Sequence, residues 1–123
     1  MNEIVKEWVR KAEGDYATAR RELTVTDCPN YDAVCFHAQQ CVEKLFKAMI
    51  IFAGGLPPKT HDLTQLASLC LNGSWSVEDL HFLTRAAVDY RYPGEQADIE
   101  EAAEAMKICE RLHDDLLEQL KNE

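Results

Sequence analysis

The 123 residues make one domain's worth of chain, and folding at this length buries a little over ~60% of the surface of the unfolded form, a core large enough to stand without metal or disulfide staples. With 46% hydrophobic and 28% charged residues the composition excludes a disordered chain, and no apolar run approaches the roughly 20 residues of a membrane span. A net charge of −9 excludes attraction of nucleic acid by the overall field, so any polyanion must be met by a local basic cluster.

The start, Met1 to Glu7, is charged and helix-forming and lacks the basic, apolar and small-residue segments of a signal peptide, which predicts a cytoplasmic protein. Ile4, Val5, Trp8, Val9, Ala12, Tyr16, Ala19 and Leu23 recur at spacings of three and four, predicting one long helix over residues 3–23 that Asp27-Cys28-Pro29-Asn30 ends. A second helix is expected from about Asn30, a capping residue, to Ala53, where Gly54 and Gly55 stop it. Its apolar residues go most of the way round, so several neighbours should cover it, and leftover apolar area predicts a homodimer.

Pro57 and Pro58 stiffen a connector. Thr60 is expected to cap a short third helix from Asp62 to about Leu71. Ser76, with Asp79 three residues on, should open a fourth through about Tyr90 with Val77, Leu80, Leu83 and Ala87 inward. Arg91 to Gly94 is a turn. A fifth helix runs from about Ala97 to Lys121 with Ile99, Ala102, Ala103, Met106, Cys109, Leu116 and Leu120 on its stripe. No stretch alternates as a strand does. The expected fold is therefore all-α: a single domain over residues 1–123, an antiparallel bundle of three long helices and two shorter ones.

Charge is uneven along it: residues 95–123 hold 10 acids against three bases, a net of −7, and the acidic last helix is most simply a solvated face. Five cysteines without paired spacing are expected to be buried small hydrophobes, and His113 a satisfied core histidine.

Three polar clusters stand out. His37, Gln40 and Lys44 share one face of the second helix, with Gln39, Glu43 and Lys47 around them. Lys59-Thr60-His61-Asp62 sits at a helix start, where free N–H groups favour an anion. Arg91 and Tyr92, with Tyr90, close the fourth helix with a phosphate-binding guanidinium and a ring able to stack on a base. Either the clusters are internal struts, or His37, Gln40, Lys44, Lys59, His61, Arg91 and Tyr92 line a groove for a phosphate-bearing ligand.

The order of these segments carries more than each alone. Tyr31-Asp32-Ala33, then Phe36-His37-Ala38-Gln39-Gln40 with Glu43-Lys44, then Lys59-Thr60-His61-Asp62-Leu63, then Arg91-Tyr92-Pro93 resembles the HEPN family of small helical domains. The lead-in Lys11 to Tyr16 and the alanine-rich last helix extend the resemblance over nearly the whole chain. It implies a helix bundle that often dimerises, a role in nucleotide or RNA binding, and pairing with a minimal nucleotidyltransferase, sometimes as a toxin–antitoxin pair. Many members are metal-independent ribonucleases marked by an Arg followed four to six residues later by a His. Here the pattern departs: after Arg91 those places hold Glu95, Gln96 and Ala97, and none of the other five arginines has a His at that distance. The usual acid–base imidazole is missing. The expectation is a binding module with no catalytic residue, metal or cofactor assigned. The alternatives are a ribonuclease using Arg91 with His37 or His61, and a purely structural interaction domain.

Overall fold

The computed structural model describes residues 1–70 and 73–121. They form five helices and no strand: α1 (Glu3–Leu23), α2 (Tyr31–Phe52), α3 (Leu63–Ser68), α4 (Val77–Asp89) and α5 (Ile99–Lys121). No helix is long and apolar enough to cross a membrane among these residues.

The ends are set by side chains that meet otherwise unpaired N–H groups. Asn2 accepts from Val5 N at 2.9 Å, Asn30 from Ala33 N at 3.0 Å and Ser76 from Asp79 N at 3.2 Å. Asp98 and Glu101 cap α5 reciprocally: Asp98 Oδ1 accepts from Glu101 N (2.8 Å) and Glu101 Oε1 from Asp98 N (3.1 Å). α2 stops where Gly54 adopts φ +92°, a left-handed conformation, and Gly55 N donates to Ile50 O at 2.9 Å.

α2 is the centre of the bundle, touched by all four other helices and most extensively by α1. Asp15 meets Lys44 and Glu22 meets Asn30, so α1 and α2 run antiparallel. Asp32 meets Ala97 near one end, the Cys41 thiol lies beside Cys109 midway, and Ala48 clusters with Leu120 at the other, so α5 runs parallel to α2. The main core gathers Val34, Leu45, Phe46, Leu63, Leu66, Leu83 and Leu116 around α2.

Several expectations are corrected here. α3 ends at Ser68 rather than about Leu71, a residue outside those described, and its cap is Asp62, whose carboxylate accepts from Thr64 N at 3.0 Å, while Thr60 Oγ1 accepts from Asp62 N. Val77 and Ile99 begin their helices and point outward, Ile4 in the first turn of α1 is exposed as well, and Ala103 faces solvent on α5. No residue of α2 is fully exposed, and Tyr31, Phe36, Met49, Ile51 and Phe52 are only partly covered by the rest of the chain. Cys35, Cys41 and Cys109 are buried, with burial pushing the Cys35 thiol up to about 12, but Cys28 is exposed and Cys70 half-buried. His113 is buried between Glu13 and Asp114 and stacks on Tyr16 at 3.8 Å between ring centres.

Candidate functional site

The polar face of α2 divides between two buried carboxylates. Asp15, 8% exposed, lies on α1 in register with Ala12 and Ala19, which turns it toward α2. There it accepts from His37 Nδ1 at 2.8 Å and from Lys44 Nζ at 2.6 Å. Both bases come from α2, two turns apart, and lie half-buried in the seam.

Glu43, 3% exposed, gathers the second set. Its Oε1 accepts from Gln39 Nε2 (3.0 Å), Gln40 Nε2 (3.3 Å) and His61 Nδ1 (2.9 Å), and its Oε2 from Lys47 Nζ (3.0 Å). Burial alone would raise this carboxyl, but the bonds from Gln39, His61 and Lys47 hold it below its ordinary range. Gln39 Nε2 also donates to the His61 carbonyl at 3.0 Å, which ties the connector between α2 and α3 to the α2 surface. The His61 side chain nevertheless remains 76% exposed. With Nδ1 engaged by the carboxylate, Nε2 is the ring nitrogen left for a ligand.

A cavity of about 240 Å³ opens beside this imidazole, walled by Phe36, Gln39, Gln40 and His61 on one side and Thr84, Ala87, Val88 and Arg91 of α4 and its end on the other. Thr84 Oγ1 accepts from Leu63 N at 3.2 Å, fixing α3 against α4. A second, open cavity of about 480 Å³ shares Arg91 and is lined by Asp32, Tyr90, Tyr92 and the following turn. Tyr90 Oη donates to Glu101 and Asp32 accepts from Ala97 N at 2.7 Å, so the turn is held from both sides. Arg91 stands between the two cavities, exposed, and pairs with no acid among the described residues.

Of the seven residues singled out from the sequence, Gln40, His61 and Arg91 meet at the first cavity, and Tyr92 joins Arg91 at the second. His37 and Lys44 turn to Asp15 instead, and Lys59 is exposed and lines neither cavity. The start of α3 is not an open anion site, because Asp62 and Thr84 already meet its N–H groups. The sequence reading missed the roles of Asp15 and Glu43 as anchors. An acid at the Ala12–Ala19 spacing, and another on a helix apolar nearly all round, are the signals that point to both. Among the described residues no group of His, Cys, Asp or Glu is arranged to hold a metal ion.

The fold has solved counterparts. TT1696 from Thermus thermophilus is similar, with 20% identity, a TM-score of 0.77, and 93% of this chain and 96% of that one covered. ST0689, described as an archaeal HEPN homologue, is similar at 24% identity, with a TM-score of 0.74 and coverage of 94% and 96%. No protein of curated function matches the chain. The family model described as HEPN domain matches residues 5–120, and this chain therefore belongs to the HEPN domain family.

Proposed function

We propose that this chain is a nucleotide- or RNA-binding HEPN module, homodimeric and serving a minimal nucleotidyltransferase partner. The observation that carries the binding reading is Arg91: an exposed guanidinium without an acidic partner among the described residues, set between a cavity lined by amides and an imidazole and one lined by two tyrosines. Phosphate suits the guanidinium and the exposed His61 Nε2, and a base suits the Tyr92 ring. The first cavity is smaller than a typical cofactor pocket, so it takes a phosphate or a base edge and leaves the rest of the ligand outside. Val88 and Tyr92, exposed beside Arg91, support a second copy at this end of the bundle.

Calorimetry with ATP and a short RNA tests the binding. Arg91→Ala removes a charge-assisted contact worth about 1.5–3 kcal/mol, a loss of about tenfold to a hundredfold in affinity, while Lys6→Ala, outside the site, leaves it unchanged. No saturable binding, or equal losses in the two variants, would sink the reading. Light scattering at micromolar concentration should give twice the 14.0 kDa chain mass.

A second reading, metal-independent RNA cleavage, is favoured at one residue by the buried Glu43 behind an exposed His61, a carboxylate–imidazole pair oriented for proton transfer. Incubation with structured and single-stranded RNA without metal separates the two. The binding module leaves RNA intact, whereas cleavage abolished by His61→Ala would put the second reading in its place.

A further inference from the structure

An open cavity of about 500 Å³ runs between the end of α1 and the first half of α5. Leu23, Ala103 and Met106 give it an apolar floor, and Glu100, Glu104 and Glu110 stand round it with Lys107 the one opposing charge. Glu100, Ala103, Lys107, Glu110 and Asp114 follow one another at spacings of three and four, so they make a single face of α5. None of the three groove carboxylates has an ion-pair partner among the described residues; the ion pairs of α5 are made by Arg111 and His113. One of the three carboxylates acts on α1: the Tyr16 hydroxyl is raised first by burial and then by the Glu110 charge, with Arg20 opposing.

We propose that this groove docks a basic amphipathic helix of a partner protein. The helix lies along α5 with its apolar row on Leu23, Ala103 and Met106 and its Lys or Arg side chains on Glu100, Glu104 and Glu110. The single methyl of Ala103 lets a second helix approach to the ordinary packing distance, and the three α5 carboxylates, set against one lysine, select the sign of the approaching charge. A second copy of this chain is the wrong occupant, because the same acidic face on both sides would repel.

The probe is a synthetic helical peptide of about 18 residues, five turns, with a Leu/Ala row flanked by Lys. Its counterpart carries Glu in place of Lys. Binding of each to the whole chain is followed by amide chemical shifts and calorimetry. The Lys peptide should shift Leu23 and the residues of α5 around Ala103 to Glu110, and weaken as salt rises. Ala103→Arg, at an exposed position that leaves the core alone, should weaken it by about tenfold or more, whereas Glu78→Lys on α4, a larger charge change elsewhere, should alter it by less than about threefold. Three results would overturn the proposal: equal binding of the Glu peptide, shifts spread over other acidic surfaces, or Glu78→Lys costing as much as Ala103→Arg. Conversion of a dimer to a monomer by Ala103→Arg would also overturn it, by giving the groove to a second copy. ATP binding to the same variants is read separately and reports only on the Arg91 site.

Discussion

Asp15 and Glu43 present one chemistry in two settings. Each is a buried carboxylate that holds an imidazole by Nδ1 and a lysine ammonium. At Asp15 both bases belong to α2 and lie in the α1–α2 seam, their side chains 30% and 23% exposed. At Glu43 the lysine is nearly buried, but the imidazole arrives from the connector before α3 and stays in the open beside Arg91. The same pair of residue types is therefore a strut between two helices in one place and, in the other, a tie that leaves its imidazole in the open beside a cavity. What separates them is where the imidazole comes from in the chain: a base on the facing helix is drawn into the seam, and one on a connector is not.

The largest effect that can break this comparison is on stability. Glu43→Ala leaves the nearly buried Lys47 ammonium without its carboxylate and the Gln39 amide with only the His61 carbonyl, a loss of about 3–5 kcal/mol. Asp15→Ala leaves His37 and Lys44 able to reach water and should cost less, about 1–3 kcal/mol. Urea denaturation of both variants measures the difference, and equal losses would mean that the two anchors are equivalent.

Acid gives the next largest effect. Glu43 is held below its ordinary 4.5, since the bonds from Gln39, His61 and Lys47 outweigh the burial that opposes them. A carboxyl lowered on folding contributes stability above its unfolded value and loses that contribution as pH falls through its folded one. Stability should therefore fall as the solution is taken below 4.5. In Glu43→Gln that part of the decline should be absent, as thermal unfolding at stepped pH will report. An unchanged acid profile in the variant would remove Glu43 from the account.

The helices themselves were legible in the sequence, because capping residues and three-and-four spacing are local signals: residues 3–23 read as one helix and form Glu3–Leu23. Stripes proved less faithful at helix starts, where Val77 and Ile99 have no preceding turn to pack against and face water. The candidate site was legible only in part. Gln40, His61 and Arg91 were named from three separate segments and do meet at one cavity, but helical spacing could not say that His37 and Lys44 would be claimed by an acid 22 and 29 positions earlier. Nor could it say that the parallel run of α5 beside α2 would leave Ala103 on the outside. Those are facts of tertiary packing, which periodicity along one helix does not encode.

The smallest effect is the sharpest test of the comparison, because it sets the two imidazoles against each other in one assay. His61 contributes little to stability, since its ring is largely in water and its bond to Glu43 is one of four that the carboxylate accepts. His61→Gln should therefore shift unfolding by less than about 1 kcal/mol. His37→Gln, in the seam, should cost about 1 kcal/mol. Affinity for a nucleotide should move in the opposite order: weakened several-fold in His61→Gln, where the Nε2 contact beside Arg91 is lost, and unchanged in His37→Gln, whose ring is turned to Asp15 on α1. Calorimetry with ATP on the two variants, next to their urea curves, gives both quantities from the same protein. If affinity falls equally in the two, the ligand reaches across α2 to the Asp15 cluster and the division of the helix into a strut and a binding edge does not hold.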